Sequence, residues 1–306
     1  MAPAILIIGA TGNTGKTVVS HLPELLELSN SNYRIVGLTR SLDNPVSQKL
    51  AKLPHVEMVE KDWTTIDAAW LKSQAVAKVY IAPHNLPHQF VEESGLYVAL
   101  LHAGVKYVVK VSTIVEYVSP TSLAIENLLS QPEFKSLQWT SLQPNFFTTT
   151  FLATAVGWIQ KYQDTGKQEV LAILSTADGA VAMIDPEDVG KVGAHLLALE
   201  DPTLHIHARY ILSGPEDVTG KDIVKLVEQY TNVKVDRAEF KATGLLTGLV
   251  EAGVFPEKLL PSLLAGGEPP WQGKTSLART PTNKEIVELA PPKRTIADAL
   301  KAMLEE

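Results

Sequence analysis

At 306 residues, 45% of them hydrophobic and only 20% charged, the chain can bury one large core or two smaller ones and is neither disordered, collagenous nor low-complexity. Its 27 Lys and Arg against 34 Asp and Glu leave a net charge of −7 with no long block of either sign, which disfavours a protein that tracks nucleic-acid phosphates. The absence of cysteine removes disulfides, thiolate nucleophiles, Cys-ligated zinc and iron–sulfur clusters.

The first residues lack the basic segment of a signal peptide, and their apolar run is too short to span a bilayer, so residues 4–8 read as a core strand. Further runs rich in Ile, Val and Leu follow at 34–38, 56–59, 76–82, 107–111 and 137–142, with helix-like stretches between them. Most are continuously apolar, the pattern of strands covered on both faces by crossover helices. Residues 1–145 are therefore expected to form an α/β doubly wound parallel sheet. Residues 146–306 are expected to form a smaller C-terminal α/β region, interleaved with the first.

No charge occurs between Lys135 and Lys161, but Gln138, Gln143, Pro144, Asn145 and Thr148 to Thr150 would be left without partners in lipid. A cytoplasmic protein with no membrane partner is the expectation. Beyond Pro144 the pattern predicts a helix over 151–160, a strand near 181–184, a helix over 186–199, a strand over 210–212 and a helix over 221–230 capped by Thr219. Residues 243–273, rich in Gly, Leu and Pro, are expected to supply helical pieces of a lid.

Immediately after the first strand stands Gly9-Ala-Thr-Gly12-Asn-Thr-Gly15. Glycines at this spacing remove the Cβ atoms that would hold backbone and helix N-terminus away from a pyrophosphate, and the free N–H groups there bind the anion. The same segment, running on into Lys16 and Thr17, also satisfies a permissive Walker A pattern, for which residues 181–185 would have to supply a magnesium-binding strand ending in Asp185. Arg40 decides between them. It closes the second apolar run, where dinucleotide folds meet the adenosine ribose, and offers a planar, permanently charged fork to a 2′-phosphate, favouring NADP over NAD.

With these segments in place, and with Leu142-Gln-Pro-Asn-Phe-Phe147, Ile184-Asp-Pro-Glu-Asp-Val-Gly190 and the run from Leu212 through Thr219 to Val227, the sequence resembles the NmrA-like family over residues 1 to about 232. These are atypical members of the short-chain dehydrogenase/reductase superfamily. The resemblance implies a Rossmann-type fold in which residues 1–145 bind NADP or NADPH as cofactor and the smaller C-terminal region, 146–306, binds substrate. It places Gly9, Thr11, Gly12, Asn13, Thr14 and Gly15 around the pyrophosphate, Arg40 on the 2′-phosphate, Ala82 and Pro83 beside the adenosine side, and Pro144, Asn145 and Phe146 towards the nicotinamide. The family contains both NADPH-dependent reductases and regulators that bind the dinucleotide without turning it over.

The Tyr-x-x-x-Lys pair usual in the superfamily, whose lysine lowers the tyrosine pKa for proton exchange, is absent from its expected helix: Ser122 stands where relatives carry a lysine four residues before Glu126. The only match, Tyr230 with Lys234, ends a late helix. The catalytic candidates that remain are Ser112, to hydrogen-bond a substrate oxygen, Tyr117, to donate a proton, and His84, in a loop expected to open towards the cofactor crevice.

No metal site is expected. Pro87 interrupts any helix that would align His84 with His88, and His205 and His207, expected on one face of a strand and exposed to solvent, have no third ligand. No Gly-x-Ser-x-Gly elbow supports a serine hydrolase. Trp139, Phe146, Phe147, Phe151 and Trp158 gather around the crossover to the second region, where they form either an apolar substrate pocket or core. The sequence thus predicts an NADPH-dependent oxidoreductase acting on a small apolar carbonyl, quinone, enone or imine. The alternatives are a non-catalytic NADP(H)-sensing regulator of a partner protein and a redox-neutral isomerase or cyclase on the same fold.

Overall fold

The computed structural model describes residues 2–84, 86–114 and 120–305. In chain order the first half runs β1 (Ala4–Ile8), α1 (Gly15–Leu28), β2 (Arg34–Thr39), α2 (Pro45–Leu50), β3 (Val56–Glu60), α3 (Ala68–Ser73), β4 (Val76–Ile81), α4 (Gln89–Ala103), β5 (Tyr107–Val111), α5 (Pro120–Leu129) and β6 (Gln138–Pro144). The second half continues with α6 (Thr148–Phe151), α7 (Ala153–Thr165), β7 (Leu171–Ile173), α8 (Pro186–Ala198), β8 (Ala208–Leu212), α9 (Gly220–Thr231), β9 (Ala238–Phe240), α10 (Gly244–Glu251), α11 (Leu260–Trp271), α12 (Lys284–Leu289) and α13 (Ile296–Glu305).

Seven parallel strands form one sheet in the order β3-β2-β1-β4-β5-β6-β8, so the strand order reverses between β1 and β4, and nucleotides bind in the crevice outside the carboxyl ends of the strands at such a point. Both faces are covered. Ile5, Ile7, Ile35, Val109 and Leu142 pack under α1 and α8, while Leu6, Ile8, Val36, Val79, Ile81, Val108 and Trp139 pack under α4 and α5. The alternation is between two apolar faces, which is why these strands read as continuous apolar runs.

The segment after β6 returns to the sheet twice. Helix α8 lies against α1 so closely that a Cβ on Gly190 would meet the Thr14 carbonyl at 2.5 Å, and β8 extends the sheet beyond β6. The rest gathers around its own core of α7, α9, α13 and the two-stranded pair β7 and β9. Helix α9 begins with a full capping box, in which the Thr219 hydroxyl accepts from Asp222 N–H while the Asp222 carboxylate accepts from Thr219 N–H. Among the described residues, no helix is long and apolar enough to cross a membrane; the stretch between Lys135 and Lys161 is β6, α6 and most of α7.

The strand expected near 181–184 is not one. Val181 bridges Val218 and Thr275, and Ile184 bridges Phe147, as isolated pairs, because its neighbours on each side are single residues of loops. Pro269 and Pro270, which ordinarily end a helix, lie buried inside the last turn of α11.

Candidate functional site

The glycine turn sits where the strand order reverses. Gly9, at φ 81°, adopts the left-handed region that turns the chain from β1, and a Cβ there would meet the Ala82 carbonyl at the end of β4 at 2.7 Å. Gly12 N–H donates to the Gly9 carbonyl at 2.9 Å, tightening the turn. A Cβ on Gly15 would lie 2.1 Å from that carbonyl oxygen, so the first turn of α1 packs directly on the end of β1. Gly12 differs: its Cβ would meet only the Gly9 oxygen, at 3.2 Å, and the residue is exposed. Two glycines serve internal packing and the third leaves a bare backbone facing the crevice, the division that pyrophosphate binding at a helix N-terminus requires. Asn13 is exposed beside it, Thr11 is half-buried, and Thr14 is buried as the residue before α1.

Arg40 follows β2 directly. It is exposed and, among the described residues, forms no ion pair, so its guanidinium is available to a ligand. The loop after it is tightly organised: Thr39 Oγ1 accepts from Ser41 N–H at 3.2 Å, Ser41 Oγ accepts from Asp43 N–H at 3.2 Å, and Glu60 Oε2, from the end of β3, accepts from Leu42 N–H at 3.1 Å.

Ala82 N–H donates to the Ile8 carbonyl, which holds Ala82 and Pro83 against the glycine turn, half-buried at the crevice. His84 comes next. Its Nδ1 accepts from Leu86 N–H at 3.1 Å, so its proton resides on Nε2 in the neutral ring, and that nitrogen donates to Glu92 at 2.6 Å. His88 approaches the other Glu92 oxygen at 3.3 Å. The structure therefore brings His84, His88 and Glu92 together although Pro87 lies between the histidines; their donor atoms fall within 4.8 Å of one another. The four-residue step from His88 to Glu92 is a local signal of this grouping in the sequence. With both ring nitrogens engaged, His84 ties the loop to α4 and holds no proton for substrate.

At the carboxyl end of β5, Ser112 N–H donates to the Leu142 carbonyl at 2.7 Å, while its Oγ is buried without a hydrogen-bond partner among the described residues. Such an orphan hydroxyl at the ligand edge of the sheet is poised for a ligand oxygen. Tyr117 lies outside the described residues. Beneath Ser112 on the same face of the sheet stands a polar layer that the sequence did not reveal. Lys110 and Glu93 are both fully buried, with Nζ 3.4 Å from Oε1, and Glu93 also accepts from Gln89 and Tyr97. Burial, reinforced by Glu93, pushes the Tyr97 phenol well above its ordinary pKa, which keeps it protonated. Glu126, at the helix position where a catalytic lysine is missing one turn earlier, accepts from Ser141, Gln143 and Arg209.

After β6, Pro144 is buried and half-buried Phe146 packs edge-on against Phe151 at 5.5 Å. Asn145 is buried, and its amide is wholly engaged by protein: Nδ2 reaches the Thr275 carbonyl at 2.9 Å, Ser213 Oγ at 3.1 Å and Thr280 Oγ1 at 3.2 Å, while Oδ1 accepts from Phe146 N–H. It fastens the 275–280 segment to the sheet edge and leaves neither side-chain polar atom over for a ligand.

Three further expectations change. Asp185 ends no strand of the sheet; it caps α8 by accepting from Glu187 N–H and pairs with Arg294 at 3.0 Å, which removes the magnesium ligand that a Walker A reading needs. His205 is buried in a short 3-10 turn, its Nδ1 on the Tyr210 hydroxyl and its pKa lowered by burial, and His207 adopts φ 60°, so the two share no exposed strand face. The five crossover aromatics divide among three cores. Trp139 lies under α4 and α5, Phe147 against the α1 side, and Phe146, Phe151 and Trp158 in the C-terminal core, so packing accounts for most of them.

A sequence model described as the NmrA-like family matches residues 1–264. The chain belongs to this family. Membership extends past the segments that carried the resemblance, into α11. Among curated proteins, none matches the sequence. Among solved structures, the Escherichia coli NADPH-dependent quinone oxidoreductase QOR2 in complex with NADPH is similar at a TM-score of 0.70 and 19% identity, covering 98% of this chain and 99% of that one. Citrobacter sp. triphenylmethane reductase complexed with NADP(H) gives 0.71 and 19%, over 98% and 99%. The Bacillus cereus UDP-glucuronic acid 4-epimerase, in complex with UDP-glucuronic acid and NAD, gives 0.68 and 16%, over 99% and 98%. At these identities the likeness is one of fold, and the fold serves both dinucleotides.

Proposed function

We propose that the protein is an NADPH-dependent oxidoreductase that reduces a small apolar carbonyl, quinone, enone or imine. The observation that carries the reading is the bare backbone at Gly12, at the point of strand-order reversal, together with an exposed guanidinium at Arg40 that forms no ion pair among the described residues. Gly9, Thr11, Gly12, Asn13, Thr14 and Gly15 would hold the pyrophosphate, Arg40 the 2′-phosphate, and Ala82 and Pro83 the adenosine side. Pro144 and Phe146 would shape the nicotinamide end, with Asn145 acting through the segment it fastens. When bound, the nicotinamide supplies the hydride. Ser112 would donate a hydrogen bond to the substrate oxygen as negative charge develops there, and Tyr117 would supply the proton. Residues 1–145 would form the cofactor unit and the interleaved remainder the wall against which an apolar substrate packs.

The test is turnover: purified protein with NADPH and a panel of quinones, enones and dyes, followed by loss of the reduced-nicotinamide absorbance. Sustained oxidation that falls by about a hundredfold in Ser112→Ala and Tyr117→Phe supports the reading. The engagement of both His84 nitrogens and the missing helix lysine favour a second reading, an NADP(H)-sensing regulator. Tight NADPH binding with no turnover across the panel, and a partner protein captured only with one redox form, would select it.

A further inference from the structure

We infer that Glu60 is a built-in competitor for the 2′-phosphate and sets how strongly the protein prefers NADPH to NADH. The inference rests on the dinucleotide reading above. Three successive amides after Arg40, those of Ser41, Leu42 and Asp43, each donate to a side-chain oxygen. Two of the acceptors are neutral hydroxyls. The third, on Leu42, is the carboxylate of Glu60, delivered by the register that sets Glu60 beside Thr39 across β2 and β3. An anion from the protein itself thus occupies an amide two residues from the guanidinium that would take a phosphate.

The charged residues next to it in the chain are engaged or add to the negative charge. Lys61 holds its ammonium over the Trp70 ring, 5.3 Å from its centre, Asp62 caps the turn that starts at Trp63, and Asp43 on the loop itself adds a second negative charge. Glu60 is exposed, so its side chain can swing into solvent without leaving a buried vacancy. Arrival of a 2′-phosphate then requires Glu60 to release Leu42 N–H or to stay as a like charge near a group of about two negative charges. NADH, carrying a ribose hydroxyl at that position, meets neither cost and finds a carboxylate able to accept from it. Arg40 attracts the phosphate and Glu60 tempers the attraction, leaving the protein able to use both cofactors with NADPH preferred.

The experiment is direct titration of the full chain with NADPH and with NADH, for the wild type, Glu60→Gln and Arg40→Ala, at low and at high salt. Glutamine keeps an acceptor for Leu42 N–H, so the loop is retained and only the charge is lost, and an unchanged melting temperature confirms this. The expected result is NADPH binding about fivefold tighter in Glu60→Gln with NADH changed less than about twofold, the gain shrinking at high salt as screening replaces the mutation. An unchanged or lowered NADPH preference in Glu60→Gln, in a protein whose NADPH binding depends on Arg40, overturns the inference and leaves the cofactor reading intact. Failure of the wild type to bind either dinucleotide overturns both.

Discussion

Replacing Gly12 and Gly15 by alanine separates cofactor binding from folding. In Gly15→Ala the new methyl would sit 2.1 Å from the Gly9 oxygen, 2.8 Å from its carbonyl carbon and 3.0 Å from the Ala10 Cα, all backbone, so α1 has to move off the end of β1. Overpacking of that kind costs about 2–4 kcal/mol. In Gly12→Ala the methyl meets only one oxygen, at 3.2 Å, on an exposed turn without a positive φ, and the cost to the empty protein is under about 1 kcal/mol. For 306 residues the unfolding entropy near the melting point is about 0.6 kcal/mol per kelvin, so 1 kcal/mol moves the midpoint by about 1.5 °C. NADPH at a hundred times its Kd adds about 2.7 kcal/mol, or about 4 °C, and a tenfold loss of affinity reduces that to about 2 °C. Scanning calorimetry with and without NADPH is the assay. Gly15→Ala should melt about 3–6 °C below the wild type without ligand, whereas Gly12→Ala should melt close to it and respond to NADPH at most half as strongly. A Gly12→Ala protein with the full NADPH response, or a Gly15→Ala protein as stable as the wild type, would refute the assignment of the two glycines.

Lys78 enters the sheet from below, donating to the Leu197 and Leu199 carbonyls at the end of α8, and burial pushes its pKa down to about 8. The folded protein therefore loses this proton before the unfolded chain does, so the contribution of Lys78 to stability rises with pH above about 8; Lys78→Met should flatten a pH–stability profile from urea melts between pH 8 and about 9.5. Asn145→Ala removes the buried amide that reaches three acceptors and should cost about 2–3 kcal/mol in urea unfolding, with faster proteolysis within residues 275–282. Thr219→Ala breaks the capping box and should cost about 1 kcal/mol by the same measurement, leaving NADPH affinity unchanged because α9 lies in the C-terminal core.

The centre of the sheet was legible in the sequence because its strands are buried on both faces, so the runs at 4–8 and 107–111 needed no alternation to be found, and the structure returns those two with the same bounds. Thr219 was legible for a local reason, since capping involves only residues three apart. What escaped depends on contacts distant in the chain. Asn145 looked like a crevice residue because it follows a strand, and only the return of residues 275–280 shows what its amide holds. Lys110 gave no sign of burial in its own strand, since its partner Glu93 comes from α4. The stretch 181–184 has the composition of a strand, but strands also need continuous neighbours, and its partners are isolated residues of three different segments. The engagement of His84 escaped because its tautomer follows from Leu86 N–H and Glu92, which no spacing rule reports.

Calorimetric titration of the wild type and of Arg40→Ala with NADPH, NADH and magnesium ATP tests the central claim most directly. The account predicts one site per chain that takes NADPH more tightly than NADH, loses that preference in Arg40→Ala, and is not blocked by magnesium ATP. Occupation of the glycine turn by magnesium ATP with no competition from either nicotinamide dinucleotide would contradict it.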